Sequence, residues 1–325
     1  MIFILMSKDN NNTKPIEKTI SFDSDDMDFK VPEAPKASRP AAAPNGQEEK
    51  LFFISMGSGS SGNCSYLGTS QGGIIIDAGV DHDEVFRTLT HNGIKPSMVK
   101  GVILTHDHQD HVRYVYRIAR TYKHIRVYCT PRLLGGLLRR HNISRRIKDY
   151  HDPIYKEIPF KIGNFKITAF ETSHDGTDNM GFNIEVNGRH FVIATDMGKI
   201  TERAEAHMKE ANFLIIESNY DRQMLDTGRY PEYLKNRVRS ECGHLDNVVA
   251  AEFVANNYHK GLKNVFLCHL SNDNNTPEKA RQAMTEALEA RGLTVGDGSN
   301  AVDQRDRDIQ VYVLPRYDAS LWFVL

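Results

Sequence analysis

A chain of 325 residues with 40% hydrophobic content can bury one large core, and its 41 basic and 42 acidic residues leave a formal net charge of −1. That balance excludes a polycationic chain as a whole. Cys64, Cys129, Cys242 and Cys268 share no CxxC spacing, which excludes a disulfide-stapled scaffold and fits reduced thiols in a cytoplasm.

Met1 to Met6 is apolar, but six residues are too few for a bilayer span or a signal-peptide core, so no membrane attachment is expected. Translation starts either at Met1 or at Met6. Residues 7–50 carry seven Lys or Arg and nine Asp or Glu and include Pro40 and Pro44, so residues 1–50 read as a disordered leader and 51–325 as the folded domain. Two hairpin strands, Leu51 to Ser55 and Asn63 to Gly68, open that domain. The glycine-rich stretch Gly57 to Asn63 between them lacks the helix and lysine of a Walker loop. It reads as a turn whose amides and hydroxyls are able to meet a phosphate. Gly73 to Asp77 reads as a buried strand, followed by a helix from Asp83 to Asn92 that Gly93 stops.

The apolar run Val99 to Thr105 then delivers His106-Asp-His-Gln-Asp-His111 into one tight turn. Imidazole and carboxylate suit zinc or manganese, and four donors (His106, His108, Asp110, His111) within six residues can face two ions. A helix is expected from His111 to Tyr122. Between Arg113 and Lys148 stand eleven Lys or Arg and no acid, and Arg113, Arg117 and Arg120 are spaced to share one helix face. Such a patch beside a metal site suits a phosphate-rich polyanion. Lys235, Arg237 and Arg239 form a second basic cluster ahead of His244.

Three later strand-like runs end on further donors: Phe165 to Ser173 on His174, Arg189 to Thr195 on Asp196, and Asn264 to Cys268 on His269. Singly, each would be an ordinary structural residue. Their shared place at the carboxyl ends of strands, where α/β folds put ligands, marks them as one set. Cys268 alternates with Phe266 and reads as a core thiol. Helices are expected at Thr201 to Ala211, Asp246 to His259 and Pro277 to Arg291, the last with Thr276 as N-cap and Gly292 as stop. Elements in this order suit an α/β fold of two sheets packed face to face with helices outside.

An HxHxDH motif followed by His, Asp and His resembles the metallo-β-lactamase superfamily over residues 51 to 325. That resemblance implies a four-layer αββα sandwich with two divalent ions, zinc or manganese. His106, His108 and His174 would hold one ion, Asp110, His111 and His269 the other, and Asp196 would bridge them. Asp77 would hydrogen-bond a ligand histidine. Ser55 to Tyr66, Gly243 to Asn247 and His269 to Asn275 resemble the YycJ/WalJ-type group, a bacterial branch of DNA exonucleases. By likeness to the tRNase Z-type branch, His244 would deliver a proton to the leaving group. Glu217 is placed to orient it, although packing is the commoner role for such a residue.

The expected activity is metal-assisted phosphodiester hydrolysis, with Asp110 both binding metal and holding the nucleophile in line, and segment 113–148 seating nucleic acid, DNA by the resemblance. The interval between Asp196 and His269 leaves little room for the cap domain of RNase J-type nucleases, and 112–173 holds no long arm like that of tRNase Z. A compact nuclease acting at DNA ends remains. The alternative is a thioester or lactone hydrolase of the same fold, which would have no use for an acid-free basic segment.

Overall fold

The computed structural model describes residues 49–298, 304 and 306–325. The leader expected over 1–50 lies outside them except for Glu49 and Lys50. A first sheet takes β1 (Phe52–Gly57), β2 (Cys64–Thr69), β3 (Gly72–Ile76), β4 (Val99–Ile103), β5 (Arg126–Cys129) and β6 (His151–Pro153) side by side in chain order. A second runs β7 (Phe160–Ile162), β8 (Phe165–Glu171), β9 (Met180–Val186), β10 (Arg189–Ala194), β11 (Phe213–Glu217) and β12 (Asn264–Cys268), and then β14 (Ile309–Val313), with β13 (Val295–Gly296) at its edge. The short β15 (Phe323–Val324) returns to pair with β1. Both sheets change character midway: β1 to β3 are antiparallel and β3 to β6 parallel, while β7 to β10 are antiparallel and β10 onward parallel.

Strand alternation decides which side chains meet. In β10, β11 and β12, Phe191, Ile193, Phe213, Ile215, Phe266 and Cys268 join the core between the sheets, whereas their neighbours Val192, Leu214, Ile216 and Val265 face an outer core. That outer core is completed by α5 (Glu202–Met208), α8 (Asn247–Asn256) and α9 (Pro277–Glu289). Residues of α1 (His82–His91), α3 (Val115–Thr121) and α4 (Pro131–Arg140) join the core of the first sheet, which gives the expected four layers. Among the described residues no helix is long and apolar enough to cross a membrane.

Capping signals placed the helices well. Asp81, Thr201, Asp246 and Thr276 cap α1, α5, α8 and α9 with their side chains, and Gly93 and Gly292 adopt the left-handed backbone just past α1 and α9. The expected helix His111 to Tyr122 is instead broken into α2 (Gln109–Val112) and α3. The reason is competition for carbonyls. The Asp110 carbonyl accepts from Asn63 N (2.7 Å) and the His111 carbonyl from Ala78 N (2.6 Å), while Tyr114 N donates to Ala78 O (2.9 Å). A continuous helix would need those groups. Arg113 therefore stands at the break and does not share a helical face with Arg117 and Arg120. Strands β5, β9 and β14 and helix α4 were not expected, nor were α6 (Arg222–Thr227) and α7 (Glu232–Arg239).

Phe53 on β1 joins the sheets, its ring 5.1 Å from both Phe191 and Phe266 and fully buried. Phe53→Ala should lower unfolding free energy by about 3–5 kcal/mol, read from the denaturant midpoint. A loss below ~1 kcal/mol would place the inter-sheet contact elsewhere.

Candidate metal centre

Each expected donor sits at or near the carboxyl end of a strand or on the short helix that follows β4. β4 leads into His106 and His108, and α2 carries Asp110 and His111; β8, β10 and β12 lead to His174, Asp196 and His269, and Glu217 closes β11. Asp77, Asp196 and His269 share a further feature: φ values of 60°, 53° and 53°, a left-handed backbone that non-glycine residues adopt at a cost of order 1–3 kcal/mol. Such a turn reverses the side chain's direction at the strand end. The same device is thus repeated on β3, β10 and β12.

These turns bring all seven expected donors together. Donor atoms of His106, His108 and His174 lie within 4.8 Å of one another, as do those of Asp110, His111 and His269. Asp196 belongs with both halves: Oδ2 lies 3.2 Å from His111 Nε2, and Oδ1 lies 3.4 Å from His269 Nδ1 and 3.7 Å from His174 Nε2. His244 also lies at this centre, its Nδ1 3.7 Å from Asp196 Oδ1. All but His108 and Asp110, whose side chains are 26% and 21% exposed, and His244 are buried, so these three face the opening.

One nitrogen of each donor histidine is held by the surrounding chain. His111 Nδ1 donates to Asp77 Oδ2 (2.8 Å), whose carboxylate is itself fixed by Thr105 N and Oγ1, the contact expected of Asp77. His174 Nδ1 donates to Gly243 O (2.8 Å), His108 Nε2 faces Asp175 Oδ1 (3.1 Å), and His106 Nδ1 meets Thr105 Oγ1 (3.0 Å). His269 Nδ1 lies 3.3 Å from Glu217 Oε1. Partners of this kind set tautomer and ring direction in metal sites. Two opposite nitrogens, Nε2 of His106 and of His269, are buried without a hydrogen-bond partner. A buried imidazole nitrogen without a partner costs free energy, and a cation within the same donor cluster would satisfy it. This donor set, neutral nitrogens with ionised oxygens, fits a divalent metal.

Charges inside the cluster support that fit. Burial works against ionising Asp196, yet His269 and His111 hold its carboxyl well below the usual range. Burial likewise opposes a charged His111, but Asp196, Asp77 and Asp110 hold it well above the ordinary histidine value, and His269 is pushed up to about 10 against burial by Asp196, Asp110 and Glu217. Burial lowers His106, and His111 reinforces the shift. The carboxylates thus favour positive charge within the site, as a bound divalent cation would supply.

Residues outside the motif complete the site. Glu217 accepts from His244 Nδ1 (2.7 Å) and Met197 N (2.7 Å), so it does orient His244. Asn63 Nδ2 reaches Asp110 Oδ2 (3.1 Å), tying the glycine-rich turn to the donors. Asp175 was missed by sequence reading, although it directly follows His174; it joins His108 to Arg237 (2.7 Å). Asp107, inside the motif, is fully buried and anchors Thr177 N (2.8 Å). Cys268 is buried, with its thiol pushed well up by burial, as a core residue should be. The basic segment is not of one sign in space. Arg117, Arg126, Arg140 and Arg146 pair with Asp83, Asp152, Asp107 and Asp149, the first three brought from elsewhere in the chain. The other seven basic residues of 113–148 are exposed and have no carboxylate partner among the described residues.

Two packed sheets whose strand ends gather buried imidazoles and carboxylates define a metal-dependent hydrolase. The family model for the beta-lactamase superfamily domain matches residues 73–263. Exodeoxyribonuclease YycJ of Bacillus anthracis is 32% identical over 76% of this chain and 92% of its own. Exodeoxyribonuclease WalJ of Streptococcus pneumoniae is 30% identical over 74% and 89%. The metallo-beta-lactamase fold protein YhfI of Bacillus subtilis superposes with a TM-score of 0.61 at 13% identity, covering 85% of this chain and all of YhfI. The chain belongs to the metallo-β-lactamase superfamily and, within it, to the YycJ/WalJ group.

Because His111 and His269 titrate above neutrality without metal, and metal needs their neutral forms, binding must displace protons. Zinc affinity should therefore weaken by about tenfold per pH unit, for each proton displaced, as pH falls from about 8 to about 6. Chelator competition across that range measures it, and a pH-independent affinity would contradict the charge arrangement.

Proposed function

We propose that this protein is a two-metal phosphodiesterase that removes nucleotides from DNA ends in the cytoplasm, with residues 51–325 as its catalytic domain and 1–50 as a leader. The observation that carries the two-metal reading is the position of Asp196 between two complete donor triads. His106, His108 and His174 would hold one ion and Asp110, His111 and His269 the other, with Asp196 shared. Zinc and manganese both suit these donors. The DNA reading is supported by the names of the YycJ and WalJ relatives, which align over nearly their whole length.

A pair of divalent ions supplies charge neutralisation at the phosphoryl group and a nucleophile usable at neutral pH. The chain's own residues do the rest. Asp110, a donor whose side chain is partly exposed, would hold the attacking water in line with the phosphorus. Asn63 fixes its carboxylate from behind. Glu217 engages Nδ1 of the partly exposed His244, which leaves Nε2 as the atom that would hand a proton to the departing oxygen. The seven unpaired cations of 113–148 offer the positive surface on which a phosphate backbone would lie, fewer than the eleven of the bare sequence.

Asp110→Asn, in protein shown to be metal-replete, should lower the rate on end-labelled duplex DNA by about three orders of magnitude in either Mn²⁺ or Zn²⁺. Near-native turnover would remove Asp110 from the mechanism. DNA affinity should also fall steeply with salt, losing about tenfold or more between roughly 50 and 200 mM, measured by fluorescence anisotropy. A flat response, with turnover of a thioester or lactone and none of DNA, would favour the small-molecule alternative.

A further inference from the structure

Beside the metal centre lies a second cleft of about 170 Å³, formed by Gly79, Arg113, Tyr114, Arg316 and Tyr317 among others. Its floor touches the catalytic turn, because a Cβ on Gly79 would stand 1.5 Å from the Asp110 carbonyl oxygen. Its walls are fastened to the loops that carry metal donors. Arg316 spends its guanidinium on carbonyls of the segment after His269: Nε to Leu270 O (2.9 Å), and Nη2 to Ser271 O (2.6 Å) and Asn275 O (2.9 Å). Ser58 closes the ring, donating from N to Arg316 O (3.3 Å) while its Oγ accepts from His269 N (2.9 Å).

Tyr317 is the unusual member. It is 59% exposed, and its hydroxyl donates to Asn272 Oδ1 (3.0 Å), which sets the direction of a large flat ring at the lip. Tyr114, which also lines the cleft, is held through its backbone by Ala78, and Arg113 next to it is exposed with no carboxylate partner among the described residues. Planar groups on a rigid frame suit stacking of a planar ligand. Asp81 and Glu84 also line the cleft. Two carboxylates disfavour a phosphate there and suit the amino groups on base edges.

We infer that this cleft receives the nucleobase adjoining the scissile phosphate, with Tyr317 as its stacking platform. This inference rests on the nuclease reading and adds a base-recognition site to it. Metal donors hold the reacting phosphate, while the cleft holds the flat ring beside it and so sets which phosphodiester enters the site.

The test compares wild type, Tyr317→Ala and Tyr317→Trp on end-labelled DNA and on bis(p-nitrophenyl) phosphate, a diester with no nucleobase. Tyr317→Ala should lower kcat/KM on DNA about tenfold or more relative to its effect on the small diester, chiefly through KM, and Tyr317→Trp should restore it. Equal losses on both substrates, or no loss on DNA, would overturn the base site and leave the nuclease reading intact. A wild-type enzyme that hydrolyses the small diester but no DNA would overturn both.

Discussion

Burying carboxylates is costly, and this protein buries three at strand ends of its two sheets: Asp77, Asp196 and Glu217 are each no more than 2% exposed. In a low-dielectric interior such groups persist only with hydrogen bonds and compensating positive charge nearby. Most of the local architecture answers that requirement. Thr105 and His111 satisfy Asp77; Met197 N and His244 satisfy Glu217; His111 and His269 face Asp196. A divalent cation completes the same compensation more strongly than a proton, so the metal site is the solution to a burial problem that the fold itself creates.

Holding that arrangement requires stiff supports, and the supports lie on both sheets. Left-handed backbone at Asp77, Asp196 and His269 turns each side chain at its strand end, and the packed core behind resists relaxation. The loop after His269 is braced by Asn275, which donates to the carbonyls of Ser218 and Asn219, and by the Arg316 guanidinium. The turn after β1 is braced by Asn63. Metal donors and the neighbouring cleft therefore share one braced frame.

Charge shows how linear and spatial patterns diverge. A run of eleven basic residues without an acid looks like one patch, but sheet pairing and loop return bring Asp83, Asp107 and Asp152 to Arg117, Arg140 and Arg126. Arg237, from a separate cluster, ends on Asp175 beside His108. Exposed pairs of this kind add little stability, but they reduce the field available to a polyanion. Seven exposed cations of the segment remain without a carboxylate partner among the described residues.

Local chemistry was legible before any fold. Cap residues such as Thr276 and stops such as Gly93 marked helix ends because they act on the nearest turn, and alternation marked strands because side chains point to opposite faces. Thr130 and Pro131 carry the same cap and first-turn chemistry at the start of α4. Seven donors were recognisable from their type and from a shared position after apolar runs. The roles of Asp175 and Asn63, the break at Arg113 and the Asp83, Asp107 and Asp152 partners of the basic residues were decided by tertiary structure alone. Each depends on a contact between segments tens of positions apart, and such contacts exist only once the two sheets have paired and packed.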